Sequence, residues 1–328
     1  MAPDLRPTVV ALGDVAPALV LGHLGDGVRF VAEPGGADLA EAQGAIVRAG
    51  IVVDDALLAA MPRLRVLART GVGVDQVDLA AATRRGVAVV VTPGAGTAAV
   101  AEGAIGMALC LLKRFGPLTR LVRESRWPER ESALVGDLEG ATVGLVGYGR
   151  IGSRVGALAH AFGASVVAYD PFVGPPPELA CADLYELAAA SDVVSLHAPL
   201  TESTRHLVDG RFLEAAKAGA VLVNCARGAL VDLDAVCAAV VAGRLGGVAL
   251  DVFEAEPPDH HPLFDLPNVL LTPHVMGLSR RARAATFAAA ACGVVDVLAG
   301  RRPEALANPY TPKPAQALAG PSDMEAGR

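Results

Sequence analysis

Aromatic residues are scarce in this chain, and positive charge is in the minority. Phe, Trp and Tyr make up 4% of it, with a single Trp. The core must therefore be built from Ala, Val and Leu. Acidic residues outnumber Lys and Arg by 35 to 28, giving a net charge of −7 and a pI near 5.5. That excludes a general basic field for nucleic acid or anionic lipid. Mean hydropathy is +0.43, yet no uncharged apolar run reaches the roughly 18 residues of a spanning helix. The run 103–112 is closed by Glu102 and Lys113, and the run 286–295 by Asp296. No signal peptide is expected, because Asp14 interrupts the apolar stretch after Pro7. The five cysteines are scattered and form no CxxC. They point to reduced thiols in a cytoplasm, with neither a disulfide framework nor a zinc site. No internal repeat is present.

What is present reads as a globular α/β protein. A length of 328 residues suggests two domains. With 52% hydrophobic and 19% charged residues, the chain has the apolar area that disordered chains lack. Short β-branched runs alternate with Ala-rich stretches, the pattern of parallel sheets. Strands are expected at 8–12, 28–32, 45–48, 66–69 and 87–91. A long helix is expected over 98–115, stopped by Gly116-Pro117. Six more strands follow at 142–146, 165–169, 193–196, 221–224, 248–252 and 269–272, the count of a dinucleotide-binding sheet. A last helix spans 281–299, and the Pro-rich stretch from Pro309 reads as a loose tail.

Residues 147–152 form a GxGxxG between a strand and a helix. Gly147 permits the tight turn, Gly149 lets the backbone approach a pyrophosphate, and Gly152 lets helix and strand pack closely. The pyrophosphate would sit on the helix N-terminus. Asp170 closes the next strand, where a carboxylate accepts ribose hydroxyls and repels a 2′-phosphate, so NAD is preferred over NADP. The competing reading is a glycine-rich turn followed by an unrelated strand-end Asp.

Ligands of open parallel sheets bind beyond the carboxyl ends of the strands. The polar residues expected there are Asp170, His197, Arg227, Asp251 with Glu254 and Glu256, and His274. An Arg fork can grip a carboxylate, and a His can pass a hydroxyl proton beside a carboxylate partner. That set suits hydride transfer on a 2-hydroxy acid.

The segments 138–152, 197–208, Asn224–Gly228, 247–257 and Thr272–His274 together resemble the D-isomer-specific 2-hydroxyacid dehydrogenases. So do Arg69–Leu79 and Thr92–Glu102 in the first hundred residues. The likeness is to the phosphoglycerate dehydrogenase branch and runs to about Asn308. It implies Arg227 as the substrate-binding arginine, His274 as acid/base and Glu256 as its paired carboxylate. It places Cys225, Ala226, Asp251 and Gly277 around a nicotinamide. Arg150, Ile151 and Asp170 fall to the pyrophosphate and ribose, and His197, Pro199 and Thr204 to the adenosine half. Val72 and Gly73 fall to the loop whose N–H groups meet the substrate carboxylate.

The resemblance further implies a Rossmann NAD-binding domain over 98–284. A flavodoxin-like substrate domain would combine 1–97 with 285–310, leaving 311–328 as tail. Both domains would have parallel sheets, with two long helices as a hinge. NAD as cofactor, a small 2-keto or 2-hydroxy acid as substrate, no metal and a homodimer through the cofactor domain complete the expectation.

Arg69 matches an arginine of phosphoglycerate dehydrogenases that would favour a second anionic group; the alternative is a strand-end ion pair on the surface. Met276 and Leu278 are bulkier than the small residues many relatives carry. The chain ends before the regulatory domain of many phosphoglycerate dehydrogenases, so serine feedback is not expected. His23, His206, His260 and His261 read as surface residues, Glu254 and Asp259 as solvated. Arg280-Arg281 reads as a helix start or a surface pair, with a substrate phosphate as the alternative. Two other functions remain open: an NAD-sensing corepressor or scaffold, and a dehydrogenase of phosphite or a phosphonate. Formate oxidation is disfavoured because that branch pairs its histidine with a Gln-Pro and this chain offers Glu256.

Overall fold

The computed structural model describes residues 6–310. The anticipated tail at 311–328 and the first five residues lie outside them. The chain divides into two compact units, one of residues 6–95 with 283–310, the other of 96–282.

The first unit holds five parallel strands: β1 (Thr8–Leu12), β2 (Arg29–Val31), β3 (Ala42–Val47), β4 (Val66–Arg69) and β5 (Ala88–Val90). Their order is β2-β1-β3-β4-β5, the flavodoxin-like arrangement. Val-rich strands suit a sheet covered on both faces, and β1, β4 and β5 are buried along their whole length. Alternation divides the core. Val9, Ile46 and Val66 face Phe287, Ala290 and Val294 of the last helix, Arg280–Leu298. Val10, Val47 and Leu67 face Leu58, Met61 and Ala81. Asn308 fastens the returning chain. Its Oδ1 accepts from Val89 N at 2.8 Å, and its Nδ2 donates to Val87 O and Thr83 Oγ1, each at 3.0 Å.

The second unit holds β6 (Thr142–Val146), β7 (Ser165–Tyr169), β8 (Val193–Leu196), β9 (Ala220–Asn224), β10 (Leu245–Leu250) and β11 (Val269–Leu271). All pair in parallel, in the order β11-β10-β9-β8-β6-β7. Outside β7, Ala180 makes a parallel bridge to Ala168. Counted as a one-residue strand, it completes the doubly wound order of a dinucleotide-binding sheet. The helices Leu184–Ala190, Gly210–Ala215 and Leu233–Val241 each begin on an Asp N-cap: Asp183, Asp209 and Asp232. Their carboxylates take first-turn N–H groups that have no partner inside the helix.

β3 and β10 each begin three residues earlier than the sequence suggests, and the first long helix is divided. The first long helix spans Thr97–Leu112, and a second, Phe115–Arg123, follows it. Gly116 and Pro117 lie inside this second helix and do not end the first. Proline is tolerated in a first turn, where its missing N–H would have no helical partner. The break falls at Arg114, which takes a left-handed conformation at φ 53°.

Candidate active site

Because the six strands of the second unit run the same way, their carboxyl ends share one edge. The glycine turn leaves β6, Asp170 follows β7, His197 follows β8, Asn224–Gly228 follows β9, Asp251 follows β10 and Thr272–Met276 follows β11.

The turn after β6 is shaped by contacts that permit no side chain. A Cβ on Gly147 would lie 2.7 Å from the His197 carbonyl carbon, and Gly147 sits at φ +94°. A Cβ on Gly152 would overlap the Gly147 carbonyl oxygen. Around Gly149, by contrast, the space is open. Gly149 N-caps the helix Arg150–Ala161, so its first N–H groups face that opening. A tight turn with an open cradle at a helix N-terminus fits a dinucleotide pyrophosphate.

Asp170 braces the same turn. Its Oδ2 accepts from Tyr148 N at 2.8 Å, and its Oδ1 from Phe172 N at 2.9 Å and Val173 N at 3.0 Å. Burial works to raise its pKa, but the three amide donors together hold it below the usual carboxylate value. The carboxylate therefore stays charged, with lone pairs left for ribose hydroxyls.

His197 lies beneath the turn. Its N donates to Val146 O at 2.7 Å, and its Nε2 meets Ser195 Oγ at 2.9 Å. Part of the residue reaches solvent, but Nδ1 is buried and has no partner among the described residues. Burial pushes its pKa down to about 4. Thr204 Oγ1 donates to Pro199 O at 2.8 Å, so these two residues brace one loop.

Asn224, fully buried, clamps the turn after β9. Its Oδ1 accepts from Ala226 N at 3.0 Å, and its Nδ2 donates to Arg227 O at 2.8 Å. A Cβ on Gly228 would overlap the backbone of Phe253 and Glu254. The Arg227 turn therefore lies directly against the loop that carries Glu256. Cys225 packs on Met107 Sδ, and burial together with the Asp251 charge pushes its thiol up to about 12. The thiol therefore stays protonated near neutral pH.

His274 Nδ1 lies 2.7 Å from Glu256 Oε2, and Glu256 Oε1 accepts from Phe253 N at 3.1 Å. A carboxylate only accepts, so Nδ1 carries the proton, and Nε2 is the nitrogen able to exchange one with a substrate. His274 sits at φ 52°, a left-handed conformation that costs a β-carbon residue about 1–2 kcal/mol. Asp251, 2% exposed, receives Thr272 Oγ1 at 2.6 Å, Val275 N at 2.9 Å and Met276 N at 3.1 Å. Met276 turns its sulfur onto Gly103 of the helix Thr97–Leu112, which absorbs its bulk. Gly277 lies against Val100 of the same helix.

Several readings need correction. Glu254 is not simply solvated: it pairs with Arg205 and with His206 Nε2, and these bonds lower its pKa. That ties the Glu256 loop to the loop before Val208. His261 caps the turn Pro262–Asp265 and pairs with Asp234 at 3.1 Å. Arg280 is the first residue of the last helix. In the first unit Arg69 is 4% exposed, so its side chain lies inside the fold and not on the surface. It donates to Gly73 O at 3.1 Å and to Arg48 O at 2.6 Å, supporting the loop from which Val72 projects. Among the described residues no three His, Cys, Asp or Glu side chains gather as a metal site would require. No helix there is long and apolar enough to cross a membrane. Asn224, Gly228 and Thr272 were not singled out as site residues. Asn-x-x-Arg-Gly is the signal for the first two and Thr-Pro-His for the third, since a buried amide that closes a turn looks polar and ordinary in sequence.

Protonation of His197 is expected to loosen the glycine turn. Its folded pKa of about 4 lies below the unfolded value near 6.5, so the unfolded chain binds more protons between them. Stability is complete above 6.5 and falls as pH drops toward 4, by about 3 kcal/mol for this group. Unfolding midpoints of wild type and His197→Gln between pH 7 and 4.5 check this. Part of the acid sensitivity should vanish in the variant, and equal pH dependence in both proteins would contradict it.

Residues 105–276 match the model of the NAD-binding domain of D-isomer-specific 2-hydroxyacid dehydrogenases. The D-3-phosphoglycerate dehydrogenase of Mycobacterium tuberculosis is 40% identical over 279 residues, 82% of this chain and 52% of the relative. This chain thus spans about half the length of that relative. The glyoxylate reductase of Thermofilum pendens is 38% identical over 265 residues, 78% of either chain. The crystal structure of an NADPH-dependent glyoxylate/hydroxypyruvate reductase from Sinorhizobium meliloti, in complex with NADP and malonate, superposes with a TM-score of 0.77. It is 33% identical and covers 89% of this chain and 92% of its own. With that family model over half of its length and a relative 40% identical over 82% of it, the chain belongs to the D-isomer-specific 2-hydroxyacid dehydrogenase family.

Proposed function

We propose that the protein is an NAD-dependent D-2-hydroxyacid dehydrogenase that interconverts a small D-2-hydroxy acid and its 2-keto acid. The observation that carries this reading is the His274–Glu256 pair at 2.7 Å, on the strand-end edge that also holds the dinucleotide turn. Gly147, Gly149, Arg150, Ile151 and Gly152 would hold the pyrophosphate and Asp170 the ribose. Cys225, Ala226, Asp251 and Gly277 would surround the nicotinamide, and His197, Pro199 and Thr204 would support the adenosine half. When bound, the reduced cofactor supplies the hydride for C2 and its oxidised form takes one back.

The chain's own residues do the rest. Arg227 grips the carboxylate and the keto oxygen, which fixes C2 and polarises its carbonyl. His274 gives a proton to the carbonyl oxygen in the reducing direction and recovers it in the oxidising one. Glu256 holds the imidazole in one tautomer and orientation through the cycle. Val72 and Gly73, on a loop that Arg69 keeps in shape, are the first unit's candidates for binding substrate. A charged, amide-braced Asp170 leaves no welcome for a 2′-phosphate, which supports NAD as the preferred cofactor. Five free thiols fit a reducing cytoplasm.

A homodimer through the cofactor domain is part of the proposal. Phe115, Val122, Trp127, Leu134 and Val135 are all exposed within one short stretch of the second unit. Such apolar patches mark association surfaces. Light scattering should give twice the chain mass, and Trp127→Glu with Val122→Glu should return it to one. A wild-type monomer at micromolar concentration would contradict the proposal.

Loss of NADH absorbance with a panel of 2-keto acids tests the activity. His274→Ala should lower kcat about 10²–10⁴-fold while NADH binding stays near normal. Unchanged turnover in that variant would remove His274 from the chemistry. No turnover by wild type, with tight NADH binding intact, would favour a cofactor-sensing protein. A marked preference for NADPH would overturn the role given to Asp170.

A further inference from the structure

We propose that the Met276 thioether is an oxidation site, and that its sulfoxide, too large and too polar for its seat, displaces the turn carrying His274 and suspends turnover. The loss of turnover rests on the functional reading above; the site of oxidation does not.

The seat is made by a residue that a helix interior disfavours. Gly103 stands inside the helix Thr97–Leu112, where alanine is the better helix former. A Cβ there would overlap Met276 Sδ, and would lie 2.9 Å from its Cγ and 3.1 Å from its Cβ. The methionine side chain thus occupies the space that the missing methyl group leaves. The apolar cluster it packs against includes Ala101, Ala104 and Met107 of the same helix. These three have no side-chain donor for a sulfoxide oxygen.

Exposure selects this sulfur. Met61 and Met107 are 2% and 3% exposed, whereas Met276 is half-buried. Among the described residues it is therefore the methionine that a small oxidant reaches. The neighbouring thiol does not compete. Cys225 is buried against Met107 Sδ and stays protonated, and peroxide attacks thiolates.

Hydrogen peroxide is the oxidant class the step needs. A sulfur lone pair attacks one peroxide oxygen, the O–O bond breaks and an S–O bond forms. The transferred oxygen passes its proton to the departing one, which leaves as water. The thioether is oxidised by two electrons and the peroxide is reduced. The product is polar and carries one more heavy atom. What faces it at Gly103 is helix backbone, which yields less than a side chain, so Met276 must leave its seat. Its N–H is bonded to Asp251 Oδ2 at 3.1 Å, and His274 stands two residues before it. A shift of about 1 Å at the ring lowers the rate on the order of 100-fold.

The test treats wild type, Met276→Leu and Gly103→Ala with hydrogen peroxide, then removes the excess with catalase. Leucine keeps the volume and lacks the oxidisable sulfur. Peptide mass spectrometry reads sulfoxide at each methionine, and kcat is measured before and after. In wild type, Met276 should oxidise ahead of Met61 and Met107, and kcat should fall about 100-fold in step with it. Methionine sulfoxide reductase with dithiothreitol should restore activity, and dithiothreitol alone should not. Met276→Leu should keep its own untreated kcat through the same dose. Gly103→Ala unseats the side chain, so Met276 should oxidise faster there. Met276 oxidising no faster than Met61, or fully oxidised with kcat retained, would overturn the proposal. So would equal loss of activity in Met276→Leu, or recovery with dithiothreitol alone, since either moves the effect to a cysteine. If wild type reduces no keto acid, the functional reading falls. The imidazole ¹⁵N resonances of His274, identified by their absence in His274→Ala, then decide: movement on oxidation of Met276 supports the proposal, and unmoved signals overturn it.

Discussion

In a wholly parallel sheet every strand ends on the same edge, and each ending leaves backbone groups that the next strand cannot satisfy. In the second unit six such endings lie side by side. Polar side chains on that same edge close them. Asp170 takes three backbone N–H groups, Asn224 clamps its own turn, and Asp251 takes two N–H groups and a hydroxyl. Structure and reactivity are thus not separate layers here. The polar residues that finish the sheet also brace the glycine turn after β6 and the turn that carries His274.

The loops are linked to one another as well as to their strands. Gly228 lets the Arg227 turn lie against Phe253 and Glu254. Glu254 joins Arg205 and His206, and Glu256 joins His274. His274 returns to Asp251 through its backbone, and Asp251 to Asn224. A change at one member is therefore expected to be felt by its neighbours, and additivity should fail for pairs within this ring.

Most of the framework was legible in sequence, because buried parallel strands are nearly continuous Val-rich runs and their ends are marked by Gly or Asp. The strands 8–12, 142–146, 165–169 and 193–196 appear with the expected limits. GxGxxG and the Asp after the next strand marked the tight turn beyond β6 for the same reason: both are short-range geometry. What sequence hid depends on contacts between distant segments. For Arg69 the sequence left a substrate anion and a surface ion pair as alternatives, and neither foretold its bonds to the carbonyls of Arg48 and Gly73. Glu254 looks solvated until Arg205 and His206 arrive from 48 or 49 residues away. The bulk of Met276 matters little because Gly103, on the helix Thr97–Leu112, leaves a space for it. Pro117 misled because one dipeptide serves equally to stop a helix and to start one.

The central claim is direct hydride transfer to C2, with His274 supplying the oxygen-bound proton. The most direct test gives the protein [4,4-²H₂]NADH and an accepted 2-keto acid in ordinary water, then reads the product by mass spectrometry and chiral separation. The account predicts one deuterium at C2 of the D-2-hydroxy acid and none lost to solvent. A product whose C2 hydrogen comes from water, or of the L configuration, would contradict it.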